Sequence, residues 1–157
     1  MSCVNDRCGE KMTSVFKNIL VPFNGTKGSQ KAFNKAVPLA TSVNASIFIL
    51  TCIEKRQIFS FFKFKASNEE FEKERKIIEK QHIEMKTFAQ EKGVVCSSNI
   101  VEGDHASSEI LNFADKHKID LIIMARTKFS SHKERIHYQS TLEDVFRNTA
   151  CPILILV

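Results

Sequence analysis

LIIMARTKFSSHKERIHYQSTLEDVF, residues 121–146, is the stretch from which the rest of the chain can be read. It opens with the apolar run Leu121–Met124, bounded by Asp120 and Arg126. Such a run suits a strand buried on both faces of a parallel sheet. A polar loop follows as far as Gln139. A short amphipathic helix then starts, with Ser140 or Thr141 as N-cap and Leu142, Val145 and Phe146 on its buried side. Strand, loop and helix in that order bring free backbone N–H groups to the carboxyl edge of a sheet. Open α/β folds bind anions and nucleotides at that edge.

The loop contains no glycine. From Arg126 to His137 it carries Arg126, Lys128, His132, Lys133, Arg135 and His137 against the single acid Glu134. A backbone cradle for phosphate needs glycines, which allow close approach and positive φ. An anion here would meet side chains instead, and the plain alternative is a solvated basic loop.

Outward from this stretch the same alternation repeats. Phe16–Phe23 reads as a first strand, with Pro22 removing a ladder donor near its end. Asn24-Gly25-Thr26 is a turn, and Thr26 is placed to cap a helix carrying Ala32, Phe33, Ala36, Val37 and Ala40 at helical spacing. Pro38 is expected to kink or shorten that helix. Ala45–Ile53 is a β-branched second strand. Asn68–Lys92 is a long helix with a stripe through Phe71, Ile78 and Met85, i,i+4 pairs Glu69–Lys73 and Glu72–Lys76, and Gly93 as its stop. Val94–Val101, more polar, is an edge strand. A helix from Ala106 to about Lys118 leads back to the opening stretch, and the apolar Cys151–Val157 is the final strand. The order βαβαβαβαβ, with long connections, specifies a parallel, doubly wound sheet with helices on both faces.

Two segments stand apart. Residues 1–14 lack periodicity and read as a flexible leader before a domain over 15–157, with Met12 an alternative start. Ile58, Phe59, Phe61, Phe62 and Phe64 crowd the connection after the second strand, which fits packing or a subunit contact better than a membrane surface.

Composition narrows the function. A chain of 157 residues, 43% hydrophobic and 26% charged, can bury one core and stay soluble. A net charge of +5 permits anion or nucleic-acid binding without establishing it. Five cysteines, an odd number, and the lack of a signal peptide point to the reducing cytoplasm. Cys3 and Cys8 in the leader match no strong ligand spacing. No apolar run approaches the roughly 18 residues of a membrane helix.

Taken together these segments resemble the universal stress proteins. The resemblance rests on Ile19-Leu20-Val21-Pro22-Phe23-Asn24-Gly25-Thr26, on Val101-Glu102-Gly103-Asp104 with His105 at the usual proline, and on Asp120–Met124. Ser140-Thr141-Leu142-Glu143-Asp144-Val145 and Cys151–Leu156 complete it, so it runs from about Lys17 to Val157. It implies a flavodoxin-like, five-stranded parallel sheet of order 3-2-1-4-5 and a homodimer through the last strand, Ile153, Leu154, Ile155, Leu156 and Val157. Members divide into ATP binders and non-binders. Binders carry G-x2-G-x9-G-[ST] after the fourth strand and an Asp ending the first. Here Ala125, Lys128 and Gln139 stand at the glycines, Gln139 one residue late. Ser140 matches, and Asn24 replaces the Asp.

The resemblance therefore implies a non-enzymatic, homodimeric stress-response or signalling protein with ATP binding lost or weakened. The alternative is a sensor of an adenine nucleotide, AMP or ATP, with a monophosphate the better fit. Pro22, Asn24, Cys52, Met124 and Ala125 would then face base and ribose, and Lys128, Gln139, Ser140 and Thr141 the phosphate end. The residues themselves show no nucleophile–base–orienter set, no carboxylate pair and no metal cluster at a cleft position; His132 and His137 read as loop histidines. Nucleic-acid binding is motivated by net charge alone.

Overall fold

The computed structural model describes residues 14–54, 67–126 and 132–157. The Phe-rich connection, Cys3, Cys8, Met12 and Lys128 lie outside these, as does the leader apart from Ser14.

The elements follow the expected alternation: β1 Asn18–Pro22, α1 Lys27–Val43, β2 Ser46–Glu54, α2 Ser67–Glu91, β3 Cys96–Gly103, α3 Ala106–Lys116, β4 Leu121–Ala125, α4 His132–Asn148 and β5 Ile153–Leu156. The strands form one sheet of order β3-β2-β1-β4-β5, and every pairing is parallel. β1 is central because it is apolar on both faces: Ile19, Leu20 and Val21 are all fully buried. The more polar β3 takes one edge, as its composition predicts, and β5 the other.

Alternation along the strands divides the core between two helix layers. Ile19, Val21, Ile47, Ile49 and Ile123 face α1 and α2, meeting Ala32, Phe33, Ala36, Val37, Met85 and Ala89. Leu20, Leu50, Ile122 and Met124 face α3 and α4, meeting Ile110, Phe113, Ala114, Leu142 and Val145. Each such aliphatic side chain taken fully out of water contributes about 1.5–3 kcal/mol.

Local signals hold in part. Thr26 caps α1, its hydroxyl accepting from the Ser29 N–H at 3.2 Å. Gly93, at φ 75°, turns the chain out of α2, and Val94 N–H closes on Ala89 O at 3.0 Å. α1 is not shortened at Pro38; it continues to Val43 and ends on Asn44 in the left-handed region. Pro38 is exposed, and the Gln30 side chain bonds Asn34 one turn earlier. Among the described residues the ion pairs on α2 are Arg75–Glu79 and Arg75–Glu102, each 3.2 Å, in place of the Glu69–Lys73 and Glu72–Lys76 pairs. The largest departure is α4. It begins at His132, not at Ser140 or Thr141, and Phe146 is 59% exposed instead of buried. The segment HKERIHYQ is rich in strong helix formers and lacks glycine and proline, so nothing stops the helix from growing toward β4.

Candidate functional site

β2, β1 and β4 end side by side at the carboxyl edge of the sheet, and Pro22, Asn24, Cys52, Met124 and Ala125 fall there. Pro22 closes β1, buried; Phe23 N–H then bonds Leu50 O at 2.8 Å, keeping the chain on β2 past the proline. The next turn is self-supporting. Gly25 supplies φ 77°, and Asn24 Oδ1 accepts from both Thr26 N–H at 3.2 Å and Thr26 Oγ1 at 2.7 Å. Asn24 is exposed, but its acceptor oxygen is engaged in holding its own turn.

Behind this turn lies a polar relay that sequence reading missed. Thr51 Oγ1 donates to Phe23 O at 2.7 Å and lies 2.8 Å from His82 Nε2. The hydroxyl has one proton and gives it to the carbonyl, so His82 must be the Nε2–H tautomer and donate to Thr51. Its Nδ1 is buried without a hydrogen-bond partner among the described residues. His82 is 2% exposed and meets Phe23 edge-on at 5.8 Å. Burial lowers its pKa from the usual 6.5 to about 4. No pattern in the sequence separates this histidine from the solvated polar face of α2.

The β2 end is an acidic pole. Burial pushes the Cys52 thiol up to about 12, with the charges of Glu54 and Glu109 adding to it. Cys52 therefore offers a weak S–H donor and no thiolate at neutral pH. Cys96, raised to about 11 by burial, is equally inert. Glu54 reaches from β2 to accept from Ala106 N–H at 2.9 Å, capping α3, because His105 at the N-cap makes no side-chain bond. Glu109 folds over Gly103, where an added Cβ would come within 2.6 Å of its side chain.

The β4 end has the opposite character. Met124 and Ala125 are buried, and Arg126 is exposed, its N–H bonded to Leu156 O at 2.7 Å. Lys128, the other expected cation, lies outside the described residues. Ser140 and Thr141 are the ninth and tenth residues of α4. With Gln139 they stand in the helix interior, where backbone N–H groups serve the i→i−4 ladder. The N-terminal N–H groups of α4 belong to the turn at His132, so Ser140 and Thr141 mark no anion-binding helix end. Thus Pro22, Asn24, Cys52, Met124 and Ala125 share one edge, whereas Gln139, Ser140 and Thr141 lie within α4. Among the described residues no group of three or more His, Cys, Asp or Glu could hold a metal. No described helix is long and apolar enough to cross a membrane.

Known proteins share this fold. The chain is 29% identical over 147 residues to universal stress protein MJ0531 of Methanocaldococcus jannaschii, covering 91% of this chain and 83% of that protein. Among solved structures, hypothetical protein MJ0577 superposes with a TM-score of 0.77 at 22% identity, covering 90% of this chain and 96% of that one. A universal stress protein in complex with cAMP gives a TM-score of 0.65 at 20% identity, covering 90% and 96% of the two chains. One from Archaeoglobus fulgidus in complex with dAMP gives 0.64 at 11% identity, covering 91% and 99%. Residues 16–156 match the Universal stress protein family, nearly the whole of the folded domain, and with the observed strand order this makes the chain a member of that family.

Proposed function

We propose that this stress-response protein is non-enzymatic, works as a homodimer in a reducing cytoplasm, and has lost the family's triphosphate cradle. The observation that carries this reading is the start of α4 at His132. In a glycine-bearing loop, residues 139–141 would turn their N–H groups toward phosphate. Here the helix ladder uses them, and Ala125, Lys128 and Gln139 replace the glycines.

A second reading, an adenine mononucleotide sensor, is supported by the edge that remains. Pro22, Asn24, Cys52, Met124 and Ala125 would receive base and ribose. Arg126 and Lys128 would meet one phosphate as side-chain cations. The Glu54 and Glu109 charges beside Cys52 disfavour further phosphates spreading toward β2. The cAMP and dAMP complexes of relatives agree with a ligand of this size.

Isothermal calorimetry with AMP, cAMP and Mg-ATP tests both. Mg-ATP should bind weakly or not at all, and micromolar Mg-ATP affinity would overturn the first reading. AMP or cAMP should bind more tightly than ATP, with Arg126→Ala reducing that affinity. Absence of any mononucleotide binding removes the second reading and leaves the first.

A further inference from the structure

The exposed surface of α1 departs from the rest of the molecule. Its 17 residues contain no Asp or Glu, and Lys27, Lys31 and Lys35 are all exposed. Spaced four residues apart, they form one stripe about 12 Å long. Lys27 lies in the first turn, where the helix dipole disfavours a cation, and each i,i+4 lysine pair repels. Among the described residues, Lys27 and Lys35 meet no carboxylate within ion-pair distance, and Lys31 Nζ bonds a main-chain oxygen of Val157 at 3.0 Å. The neighbouring α2 carries both signs of charge and pairs Arg75 with Glu79.

Beside the stripe, α1 and α2 enclose an open groove of about 290 Å³. Phe33, Met85 and Phe88 give it an apolar floor, of which Phe88 alone is well exposed, and Gln30, Asn34, Gln81 and Glu84 a polar rim. Phe88 is 42% exposed, and one stripe of α2 continues from it through Glu84 and Gln81 to Ile77, 61% exposed. Lys92 stands 5.8 Å from the Phe88 ring at the far end.

We propose that this face, the lysine stripe together with the α1–α2 groove, docks an acidic amphipathic helix of a partner protein. Two or three apolar side chains at helical spacing would fill the groove over Phe33 and Phe88. Carboxylates on the flank of that helix would meet Lys27, Lys31 and Lys35. The groove is too small for more than a few side chains, which suits a helix edge better than a whole small molecule. Nucleic acid fits less well. Three cations fall short of the roughly 6–10 phosphate contacts of a typical duplex binder.

The test uses the full chain and a labelled synthetic helix with Leu at i, i+4, i+7 and i+11 and Glu on the adjoining flank, read by fluorescence anisotropy. The wild type should bind it saturably. The triple variant Lys27→Glu/Lys31→Glu/Lys35→Glu should lose at least about tenfold in affinity, and a peptide with Lys in place of Glu should bind that variant in its stead. Replacing the peptide's Leu by Ser, or Phe88→Ala in the protein, should each weaken binding several-fold. If circular dichroism shows the triple variant misfolded, Lys35→Glu alone, away from Val157, should still weaken binding. Failure of the wild type to bind overturns the proposal, as does affinity indifferent to the lysines. So does a duplex oligonucleotide that binds through these lysines while the peptide does not.

Discussion

His82 shows how one residue can hide from sequence and still govern behaviour. Buried with its Nδ1 unpartnered, it has its pKa lowered to about 4 by burial, against 6.5 in the unfolded chain. A base depressed in this way is neutral in the folded state at neutral pH. The unfolded chain takes up the proton first as pH falls, so stability is present above about pH 6.5 and is lost progressively down to about pH 4. Below that both states are protonated and no further loss accrues from this group. The shift corresponds to about 3 kcal/mol. Urea unfolding of wild type and His82→Phe across this range should give a difference that grows steadily from pH 6.5 to pH 4, with the variant flatter. A constant difference would refute the assignment. Thr51→Val should also destabilise, by about 1 kcal/mol, because the Phe23 carbonyl and His82 Nε2–H lose their shared partner. None of this is visible in a string of letters: the pairing joins residues 31 positions apart on two different elements.

At the scale of elements, the strands were the most legible, because unbroken or alternating apolar runs such as Ile19–Val21 and Leu121–Met124 have one comfortable home in a parallel sheet. The Thr26 cap and the Gly93 stop were legible for the same reason, each resting on a single local geometry. The start of α4 was not. Its apolar positions, Leu142 and Val145, begin late, and the polar turns before them carry no periodic signal. The missing glycines are plain in the sequence, and their effect reaches further than the phosphate site. They do more than remove a phosphate cradle, since without them the backbone is free to stay helical. The site was legible to the same extent: Pro22, Met124 and Ala125 follow from strand ends, whereas the Glu54 cap and the Thr51–His82 relay depend on tertiary contacts. Gln139→Gly makes the helix testable. Placed in the interior of α4, it should cost about 0.5–1 kcal/mol in urea unfolding. An unchanged or raised stability would mean that residue 139 belongs to a loop.

For the whole molecule the question is what becomes of the two sheet edges. β3 is blunted by Ser98, Asn99 and Glu102, side chains that suit water. β5 has no such protection: Ile153–Leu156 is apolar throughout, and nothing described pairs its outer side. Its side chains divide between faces. Ile153 and Ile155 pack against the α3–α4 core and Leu156 against the α1–α2 core, while Leu154 is 41% and Val157 90% exposed. Two copies related by a two-fold axis would pair these strands antiparallel, satisfy both rows of N–H and C=O groups, and stop at two subunits. Leu154 is the position to probe. Ile155→Lys would also place a charge against the core, so loss of a dimer there would be indistinguishable from loss of the fold. Leu154→Lys puts the charge on the exposed flank and leaves both cores intact. Sedimentation of the wild type at micromolar concentration should give twice the 17.9 kDa chain mass, and Leu154→Lys should shift it toward the monomer while near-ultraviolet circular dichroism stays native. A wild-type monomer, or a dimer indifferent to Leu154→Lys, would place the interface on another surface.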